Sequence, residues 1–372
     1  MTSGGQGAAR RRIAVLDGGS FVLPYDEQLV AALARRGAEV SFFGSLTRYN
    51  GQCLDAMRGL PGVQVVTAPV SGSVAPRWRG VLAYAGLLWR LWRERRRLDV
   101  VNLQFSVLWP LEWPLLSALR DKLVFTVHNA VPHGFTGLRH RPTQRIAERA
   151  RTLVFASRAT RDDFIRRYGA AFEPKSVVLP HGLLPAVPGE SPRPYRPMER
   201  PSALVCWGTV KPYKGVELFE AMARSPAVKA RGLGLEVVGR WDDALQPLRR
   251  TLESLGVRID DRYLDGPALQ QLFSRNVVFV LPHASATQSG VLYTLLHAGC
   301  HFICSESGDL GEFMRRHGLA GLLLADRTPE AVLACLDRLA DEPDRFAQAF
   351  SAAQAACTWD AVLQDGASAY FG

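Results

Sequence analysis

The sequence predicts an α/β protein with two doubly wound parallel sheets, one in each of two domains. Short apolar segments alternate with longer amphipathic segments along almost the whole chain, which is the pattern of strands joined by helices in a parallel sheet. The alternation is interrupted at residues 187–201, where proline, arginine and glutamate replace the apolar pattern, as in an interdomain linker. A chain of 372 residues is also long enough for two domains.

The first series of elements follows a Gly-rich and then basic head, residues 1–11, that we predict to be disordered. Residues 12–16 predict a buried strand, 18–20 a turn, and 26–36 an amphipathic helix that Gly37 ends. Further strands are predicted at 39–43, 63–68, 100–104, 123–128 and 152–156, and further helices at 80–97, 113–120 and 143–149.

The second series predicts strands at 203–207, 235–238, 277–281, 301–304 and 321–324. We therefore expect an N-terminal domain at 12–186 and a C-terminal domain at 202–352. Ligands bind such sheets at the carboxyl ends of the strands. With two domains, we expect the site in a cleft between them.

Composition narrows the class of partner. A net charge of +10 and a pI near 9.6 favour anionic partners. The sequence contains no nucleic-acid-binding module, so we do not expect nucleic acid to bind. The six cysteines are scattered without metal or disulfide spacing, and no apolar run approaches the roughly 20 residues of a membrane span. We expect a cytoplasmic protein.

Two lysines, Lys211 and Lys214, follow the predicted strand 203–207, between Gly208 and Gly215. At a strand end that faces a ligand crevice, such lysines favour phosphate binding, although a pair of solvated lysines beside a turn is the plainer interpretation.

A second segment, opened by Ser289 and Gly290, begins an apolar helix that stops at Gly299. The free amides and the dipole of a helix N-terminus bind anions, whereas an ordinary N-cap on a core helix would look the same in sequence. Together, the two segments predict a diphosphate site that needs no metal.

These segments resemble motifs of the retaining family-4 glycosyltransferases of the GT-B fold. Residues 208–215 are similar to the loop G-x-x-[RK]-P-Y-K-G, and residues 286–312 to a donor segment that begins T-Q-S-G-V. The first half is similar as well, at 99–104, 126–133 and 178–182, so the resemblance extends over residues 12 to 362. It implies two Rossmann-like domains facing a cleft, with 353–372 returning to the first, and membership of the Q-S-G-V subgroup.

The resemblance also implies a role for each matching residue. Lys211 and Lys214 would neutralise the diphosphate of a nucleotide sugar, which is the donor substrate and not a cofactor. His128 would contact the donor sugar and face the acceptor. The other residues implied on the donor side are Gly18, Gly19, Gly208, Gln288, Ser289, Gly290, Val291 and Glu312, and those on the acceptor side are Asn129 and His133.

One departure concerns sugar recognition. Family members commonly carry two glutamates eight residues apart, where this chain has Ala286 and Thr294. Recognition of the sugar and ribose must then come from other residues, for which Gln288 is our candidate. The missing glutamates also keep two alternatives open, a non-catalytic partner subunit of the same fold and a sugar-nucleotide epimerase.

Mechanistic expectations follow from the residues around the first strand. An inverting enzyme needs a general base on the acceptor side, and residues 18–25 contain no Asp or His, with Asp17 the nearest. We therefore expect retention, with the leaving phosphate accepting the acceptor's proton while the lysines stabilise its charge. No D-x-D triplet occurs, so we expect no metal. The acceptor is expected to be a glycan, a lipid-linked sugar or a small molecule.

Residues 77–98 combine three tryptophans with seven arginines and one glutamate. Such a helix can lie on an anionic membrane surface, which would make the protein peripheral on the inner membrane face. Alternatively, Val81, Leu82, Ala85, Leu88 and Trp92 would form an apolar face that packs on the sheet. The sequence leaves both interpretations open.

Overall fold

The computed structural model describes residues 10–70, 72, 74, 76–130, 141–285 and 289–372. The predicted disordered head therefore lies almost entirely outside the described residues. The chain divides into two compact units. The first contains the described residues up to 156, then 161–180 and 359–372, and the second contains 157–160 and 181–358.

The first unit is a parallel sheet with helices between its strands. Its strands are β1 (Arg12–Asp17), β2 (Glu39–Ser45), β3 (Val63–Ala68), β4 (Val100–Phe105), β5 (Leu123–Val127), β6 (Thr152–Phe155) and β7 (Ser176–Val178). The helices that follow β1 to β6 in turn are α1 (Leu23–Arg35), α2 (Gly51–Arg58), α3 (Arg77–Glu94), α4 (Trp109–Ala118), α5 (Arg141–Arg149) and α6 (Arg158–Tyr168).

The second unit repeats this construction. Its strands are β8 (Ala203–Trp207), β9 (Gly234–Val238), β10 (Arg258–Asp260), β11 (Val277–Leu281), β12 (Phe302–Ser305) and β13 (Leu323–Leu324). Its helices are α7 (Glu217–Arg224), α8 (Pro226–Ala230), α9 (Gln246–Ser254), α10 (Gly266–Phe273), α11 (Gly290–His297), α12 (Gly308–Arg316), α13 (Pro329–Asp341) and α14 (Pro343–Ala356). The last two helices, α15 (Trp359–Gly366) and α16 (Ser368–Phe371), belong to the first unit.

Both sheets have the doubly wound strand order, which confirms the predicted fold class. The first runs β3-β2-β1-β4-β5-β6-β7 and the second β10-β9-β8-β11-β12-β13, and the paired strands are parallel. Strand order reverses between β1 and β4 and again between β8 and β11. Ligands bind such sheets beyond the carboxyl ends of the strands at the reversal, so each unit has one such edge.

The C-terminal segment packs on the first unit through specific contacts. The ring of Trp359 meets Tyr25 edge to face at 5.1 Å, and Nη2 of Arg35 lies 3.1 Å from Oδ1 of Asp360. Tyr370 is fully buried. The segment starts at Trp359, because α14, which the prediction assigned to it in part, belongs to the second unit.

Residues 187–201, interpreted as a linker, are integrated into the second unit. Tyr195 is buried and donates its hydroxyl to the carbonyl oxygen of Cys300 at 3.0 Å. The amide of Arg193 donates to the carbonyl of His297 at 2.9 Å. This stretch has no regular secondary structure, but a buried side chain and a backbone hydrogen bond hold it on the second unit.

Helix α3 packs with only part of the predicted apolar face. Leu82 is 65% exposed, Val81 44% exposed and Ala85 exposed as well, so the prediction is wrong for these three residues; it is confirmed for Leu88, which is buried, and for Trp92, which packs on the core. The buried residues of the helix are Gly80, Tyr84, Leu87, Leu88 and Leu91. Two contacts fix this rotation: a Cβ on Gly80 would lie 2.6 Å from the carbonyl oxygen of Val70, and the hydroxyl of Tyr84 donates to Glu112 at 2.6 Å.

None of the helices in the described ranges is both long and apolar enough to cross a membrane. The six cysteines are buried free thiols, as predicted.

Candidate functional site

The end of β1 is a tight turn built on two glycines. A Cβ atom on Gly18 would lie 2.3 Å from Cε2 of Tyr84, and one on Gly19 would lie 2.4 Å from the ring of Phe21. Because Tyr84 is buried, packing requires glycine at residue 18, whereas the exposed ring of Phe21 could turn away from a side chain at residue 19. The close approach of donor or acceptor that we expected there stays a prediction.

Two buried carboxyl groups lie next to this turn. Asp17 and Asp26 are fully buried beside each other, and Oδ2 of Asp17 accepts from the amide of Val22 at 3.1 Å. Burial raises the pKa of Asp17, and burial together with the Asp17 charge raises that of Asp26 well above its usual value. A pair that holds a proton away from solvent is poorly suited to act as a general base for a bound acceptor.

His128 lies at the reversal edge of the first sheet, directly after β5. Its side chain is 4% exposed and stacks on Phe105, the last residue of β4, with ring centroids 4.4 Å apart. Tyr25 meets the imidazole edge to face at 5.5 Å. The adjacent ends of two strands and the start of α1 thus hold the ring in one orientation.

A chain of buried hydrogen bonds selects the tautomer of His128. Nε2 of Gln104 donates to Oδ1 of Asn102 at 2.7 Å, so Oε1 of Gln104 is the atom that lies 2.7 Å from Nε2 of His128. Because an amide oxygen only accepts, Nε2 of the neutral imidazole carries the proton and Nδ1 carries the lone pair. Asn102 also donates to Thr126 at 2.9 Å and accepts from Tyr370 at 3.4 Å.

Sequence reasoning missed Asn102 and Gln104 as site residues. The signal was present, because both are polar residues inside the apolar strand β4, and buried polar groups need partners. Asn129, predicted on the acceptor side, follows His128 directly and is half-buried. Two further predicted residues, His133 and Gln288, lie outside the described residues.

In the second unit, the loop after β8 carries the two lysines. Gly208 has a φ of 113°, and residues 212–214 form a single 3₁₀ turn that ends at Gly215, whose φ is 65°. A Cβ on Gly215 would lie 2.0 Å from the carbonyl oxygen of Pro282, so the loop packs directly against the end of β11. Both lysines are therefore at the reversal edge of the second sheet, between β8 and β11.

The two lysines differ in their surroundings. Lys211 is exposed, whereas Lys214 is 8% exposed. Burial lowers the pKa of Lys214, and the charge of Lys211 lowers it further, against an opposing contribution from Cys206. Within the described part of the chain no carboxylate forms an ion pair with Lys214. A buried ammonium without a counter-charge favours an anionic ligand beside it.

The N-terminus of α11 meets this loop at Gly208. A Cβ on Gly208 would lie 3.0 Å from Cγ2 of Val291 and 3.4 Å from Nζ of Lys214. The ammonium group and the first turn of α11 thus approach the same glycine. Ser289, the N-cap residue, is 5% exposed, and its hydroxyl has no hydrogen-bond partner among the described residues. Gly290, the first residue of the helix, is half-buried.

Asp309, in the first turn of α12, is a neighbour of this turn that the sequence did not reveal. It accepts from the backbone amide of Ser289, and the hydroxyl of Tyr293 lies 3.4 Å from its Oδ2. Burial and the charge of Glu312 raise the pKa of Asp309 to about 7. The Ser289 amide, which we assigned to the diphosphate, is therefore bonded to a carboxyl group here, and the amides of Gly290 and Val291 are the remaining donors of the first turn.

Glu312, predicted near the nucleotide, is bound to other protein groups. Its carboxylate pairs with Arg316 one turn along α12 and accepts from the amide of Ala159 at 3.2 Å. Thr294, at the position of the family's second glutamate, donates its hydroxyl to the carbonyl of Gly290 at 3.0 Å. Ala286, at the first glutamate position, lies outside the described residues.

Two more cationic or titratable side chains surround the lysine loop. His283 follows β11 and is buried. Burial and the charge of Lys214 lower its pKa to about 3, so it is neutral near pH 7. Nη1 of Arg327 would lie 3.4 Å from a Cβ on Gly215. Arg327 is remote in sequence from the loop, so no local pattern could indicate it.

This arrangement can bind an anion at the second unit through cationic side chains and helix amides. Among the described residues, no group of three His, Cys, Asp or Glu side chains is placed to hold a metal ion.

Two family models match the chain in succession. Residues 27–185 match "Glycosyltransferase Family 4", and residues 201–342 match "Glycosyl transferases group 1". Together they cover most of the chain. No curated protein sequence matches it significantly.

Several solved structures share the fold along nearly the whole chain. HepE of Anabaena, solved with UDP and glucose, is 17% identical, with a TM-score of 0.65 over 96% of this chain and 99% of that one. Sucrose-phosphate synthase from Thermosynechococcus elongatus is 16% identical, with a TM-score of 0.68 over 97% and 98%. WaaG, a glycosyltransferase of lipopolysaccharide biosynthesis, is 16% identical, with a TM-score of 0.59 over 97% and 100%.

Proposed function

We propose a transfer reaction for this chain, which belongs to the glycosyltransferases, with a family 4 half followed by a group 1 half. In this proposal it transfers a hexose from a nucleotide sugar to a hydroxyl group of a glycan, a lipid-linked sugar or a small molecule. The transfer proceeds with retention of the anomeric configuration and without a metal ion. Relatives in fold have been solved with UDP and glucose, and with UDP-2-fluoro glucose. A nucleotide diphosphate is therefore the leaving group in this proposal.

The observation that carries the proposal is the convergence on Gly208. Nζ of Lys214 and the side chain of Val291 both approach the position that a Cβ on this glycine would occupy. A diphosphate bound over Gly208 would contact the ammonium group and the helix amides at once, and a side chain on residue 208 would fill that space. Glycine at a φ of 113° is also the residue that adopts this conformation without strain.

Each donor-side residue has a defined part in this proposal. The buried Lys214 neutralises one phosphate at close range, and the exposed Lys211 approaches from solvent. The amides of Gly290 and Val291 bind the second phosphate, with the Ser289 hydroxyl as a further donor. Charge-assisted hydrogen bonds of this kind contribute about 1.5–3 kcal/mol each. The donor contacts of Gly18, Gly19, Gln288 and Glu312 belong to the same proposal.

We assign the reacting sugar to His128 in the first unit. The ring of His128 is buried, stacks on Phe105 and donates through Nε2 to Gln104, so it is held in one orientation at the carboxyl end of β5, where the sugar would bind. Asn129 and His133, which follow it in the chain, would contact the acceptor.

Retention is the outcome that the carboxyl groups favour. Asp17, the nearest candidate base, is fully buried beside Asp26, and burial raises its pKa, so it is poorly placed to activate an acceptor. In the proposed step the bond from the anomeric carbon to the phosphate oxygen breaks. The acceptor oxygen forms its bond on the same face, and its proton passes to that phosphate oxygen. The lysines and the helix amides stabilise the negative charge that develops there.

We propose that the enzyme acts in the cytoplasm at the inner face of a membrane, where a lipid-linked acceptor would be exposed. The arginine-rich helix α3 supports this location, since tryptophan and leucine side chains are exposed on it.

The decisive experiment measures donor turnover with UDP-, GDP-, ADP- and dTDP-sugars, with and without EDTA. We expect one donor to be used, activity to survive EDTA, and the product to keep the anomeric configuration by NMR. The variant Lys211→Met/Lys214→Met should lose turnover and keep its circular dichroism spectrum. Full activity in that variant, or an inverted product, would contradict the proposal. If no nucleotide binds, a non-catalytic subunit is favoured. If the sugar of the donor is isomerised in the absence of an acceptor, an epimerase is favoured.

A further inference from the structure

The solvent side of helix α3 carries a continuous row of apolar side chains. Trp78, Leu82 and Trp89 are 62%, 65% and 58% exposed, and Ala85 between them is exposed as well. These four residues recur every three or four positions, so they lie along one face of the helix. We call them the exposed stripe. Single exposed apolar residues are common, but a row of large ones marks an interaction surface.

Arginine side chains border the exposed stripe. Residues 77–97 contain seven arginines and one acidic residue, Glu94. At one end of the stripe the guanidinium group of Arg79 lies 5.0 Å from the ring centroid of Trp78, and further along Arg93 lies 4.9 Å from that of Trp89. A guanidinium group thus lies within about 5 Å of each of these indole rings, so positive charges and apolar groups alternate along the same surface of the helix.

We propose that α3 lies in the plane of an anionic lipid bilayer, with the exposed stripe among the upper acyl chains and the arginines on lipid phosphates. Indole rings and guanidinium groups both favour the boundary between acyl chains and headgroups. The stripe extends over roughly 16 Å of helix from Trp78 to Trp89, long enough to anchor the helix flat. This inference rests on the proposed function for its purpose, which is access to a lipid-linked acceptor.

Charge distinguishes the bilayer from other occupants. A second copy of the chain would bring two sets of seven arginines together, and like charges across an interface are unfavourable. A soluble polyanion would satisfy the arginines but would leave Leu82 and Val81 exposed to water. An anionic bilayer satisfies both groups, because each arginine near its surface adds attraction and the apolar side chains leave water.

The test is co-sedimentation with phosphatidylcholine vesicles that contain or lack phosphatidylglycerol. We expect binding only when phosphatidylglycerol is present, and weaker binding at high salt. The variant Trp78→Ser/Leu82→Ser/Trp89→Ser should bind at least about ten-fold more weakly, since three exposed apolar side chains can no longer insert. The variant Arg90→Gln/Arg93→Gln/Arg97→Gln should bind about 100-fold more weakly, since each exposed arginine contributes about five-fold to binding.

A matched control removes three exposed positive charges from the second unit. Arg196→Gln/Lys229→Gln/Arg250→Gln changes the net charge equally, and we expect its vesicle binding to equal that of the wild type. Arg95 is left in place in the test variants because its side chain donates to the carbonyl of Trp92 at 2.6 Å near the end of α3. Soluble donor turnover, unchanged in all three variants, separates a loss of membrane binding from a failure of the proposed function.

Three results would overturn the inference. The wild type could fail to sediment with phosphatidylglycerol vesicles. The variant of the exposed stripe could bind as the wild type does, which would reduce the contact to charge alone. Size-exclusion chromatography could show a wild-type dimer that this variant converts to a monomer, which would make the surface a self-association interface.

Discussion

Replacing Lys214 with methionine should weaken binding of a nucleoside diphosphate by about 10- to 100-fold without lowering stability. The affinity loss corresponds to about 1.5–3 kcal/mol for a charge-assisted hydrogen bond to phosphate. The side chain is 8% exposed, so its contribution is little screened by solvent. Stability is retained, because the unfolded chain hydrates a lysine fully whereas the folded protein buries its charge, and methionine has no such cost.

The pH dependence has a defined sign. Since burial lowers the pKa of Lys214 in the folded state, the unfolded chain holds the proton more tightly, and the stability of the wild type rises with pH through the window just below the usual lysine value of 10.5. A bound diphosphate acts in the opposite direction and raises that pKa. Nucleotide affinity should therefore fall as the pH increases towards that window, and binding there should take up a proton.

Calorimetry with UDP, or with whichever diphosphate binds best, measures both effects. Titrations at pH 7 and pH 9 in buffers of different ionisation enthalpy give the affinity and the number of protons taken up. Lys211→Met is the matched control, since it removes the same charge from an exposed position and should cost less affinity. Equal affinities for Lys214→Met and the wild type at pH 7, or identical proton uptake at pH 9, would refute the assignment of Lys214 to the phosphate.

Three further predictions concern single residues. Gly208→Ala should weaken diphosphate binding at least about ten-fold, because its Cβ would meet Val291 and Lys214 and the backbone φ of residue 208 is 113°. The control is Gly232→Ala, which also has a positive φ but open space around it. Equal calorimetric affinities of the Gly208→Ala and Gly232→Ala variants for the diphosphate would contradict the prediction. Gln104→Leu should lower kcat about 10-fold or more and leave diphosphate affinity unchanged, since His128 loses the acceptor that selects its tautomer. Gln104→Glu should shift the pH profile of kcat to higher pH. An unchanged kcat in Gln104→Leu would exclude a positioning role for Gln104. Asp309→Asn should raise the melting temperature at pH 8. The pKa of Asp309 is raised from 3.8 to about 7 by folding, so the wild-type protein becomes less stable as the pH rises between those values, and asparagine avoids that loss. At pH 4 the variant should have no such advantage.

The lysine loop was predictable because its structure is local. Strand β8, the turn at Gly208 and the two lysines are consecutive in sequence, and the strand end determines where the loop lies in a parallel sheet. The same reasoning located His128, which directly follows β5. Helix starts were displaced by a few residues, as at α4, which begins four residues before the prediction, with Pro110 in its first turn.

The partners of these residues were not predictable, since they come from distant parts of the chain. Asp309 accepts from Ser289 although it belongs to the next helix, and Arg327 approaches Gly215 from beyond β13. Tyr370, at the end of the chain, bonds to Asn102 in β4. A polar residue in an apolar strand indicates that a buried partner must exist, but only the packing of the elements identifies it.

Helix α3 shows why hydrophobic periodicity cannot always choose a face. It carries apolar residues on two sides, one with Tyr84 and Leu88 and one with Leu82 and Trp89, and a periodic pattern fits either side against the sheet. The choice is made by two non-local contacts, Gly80 on the Val70 carbonyl and Tyr84 on Glu112. Once one face of the helix is packed on the sheet, the apolar residues of the other face cannot be buried in the core of the same unit. Their exposure beside arginines is therefore an argument for a partner outside the chain.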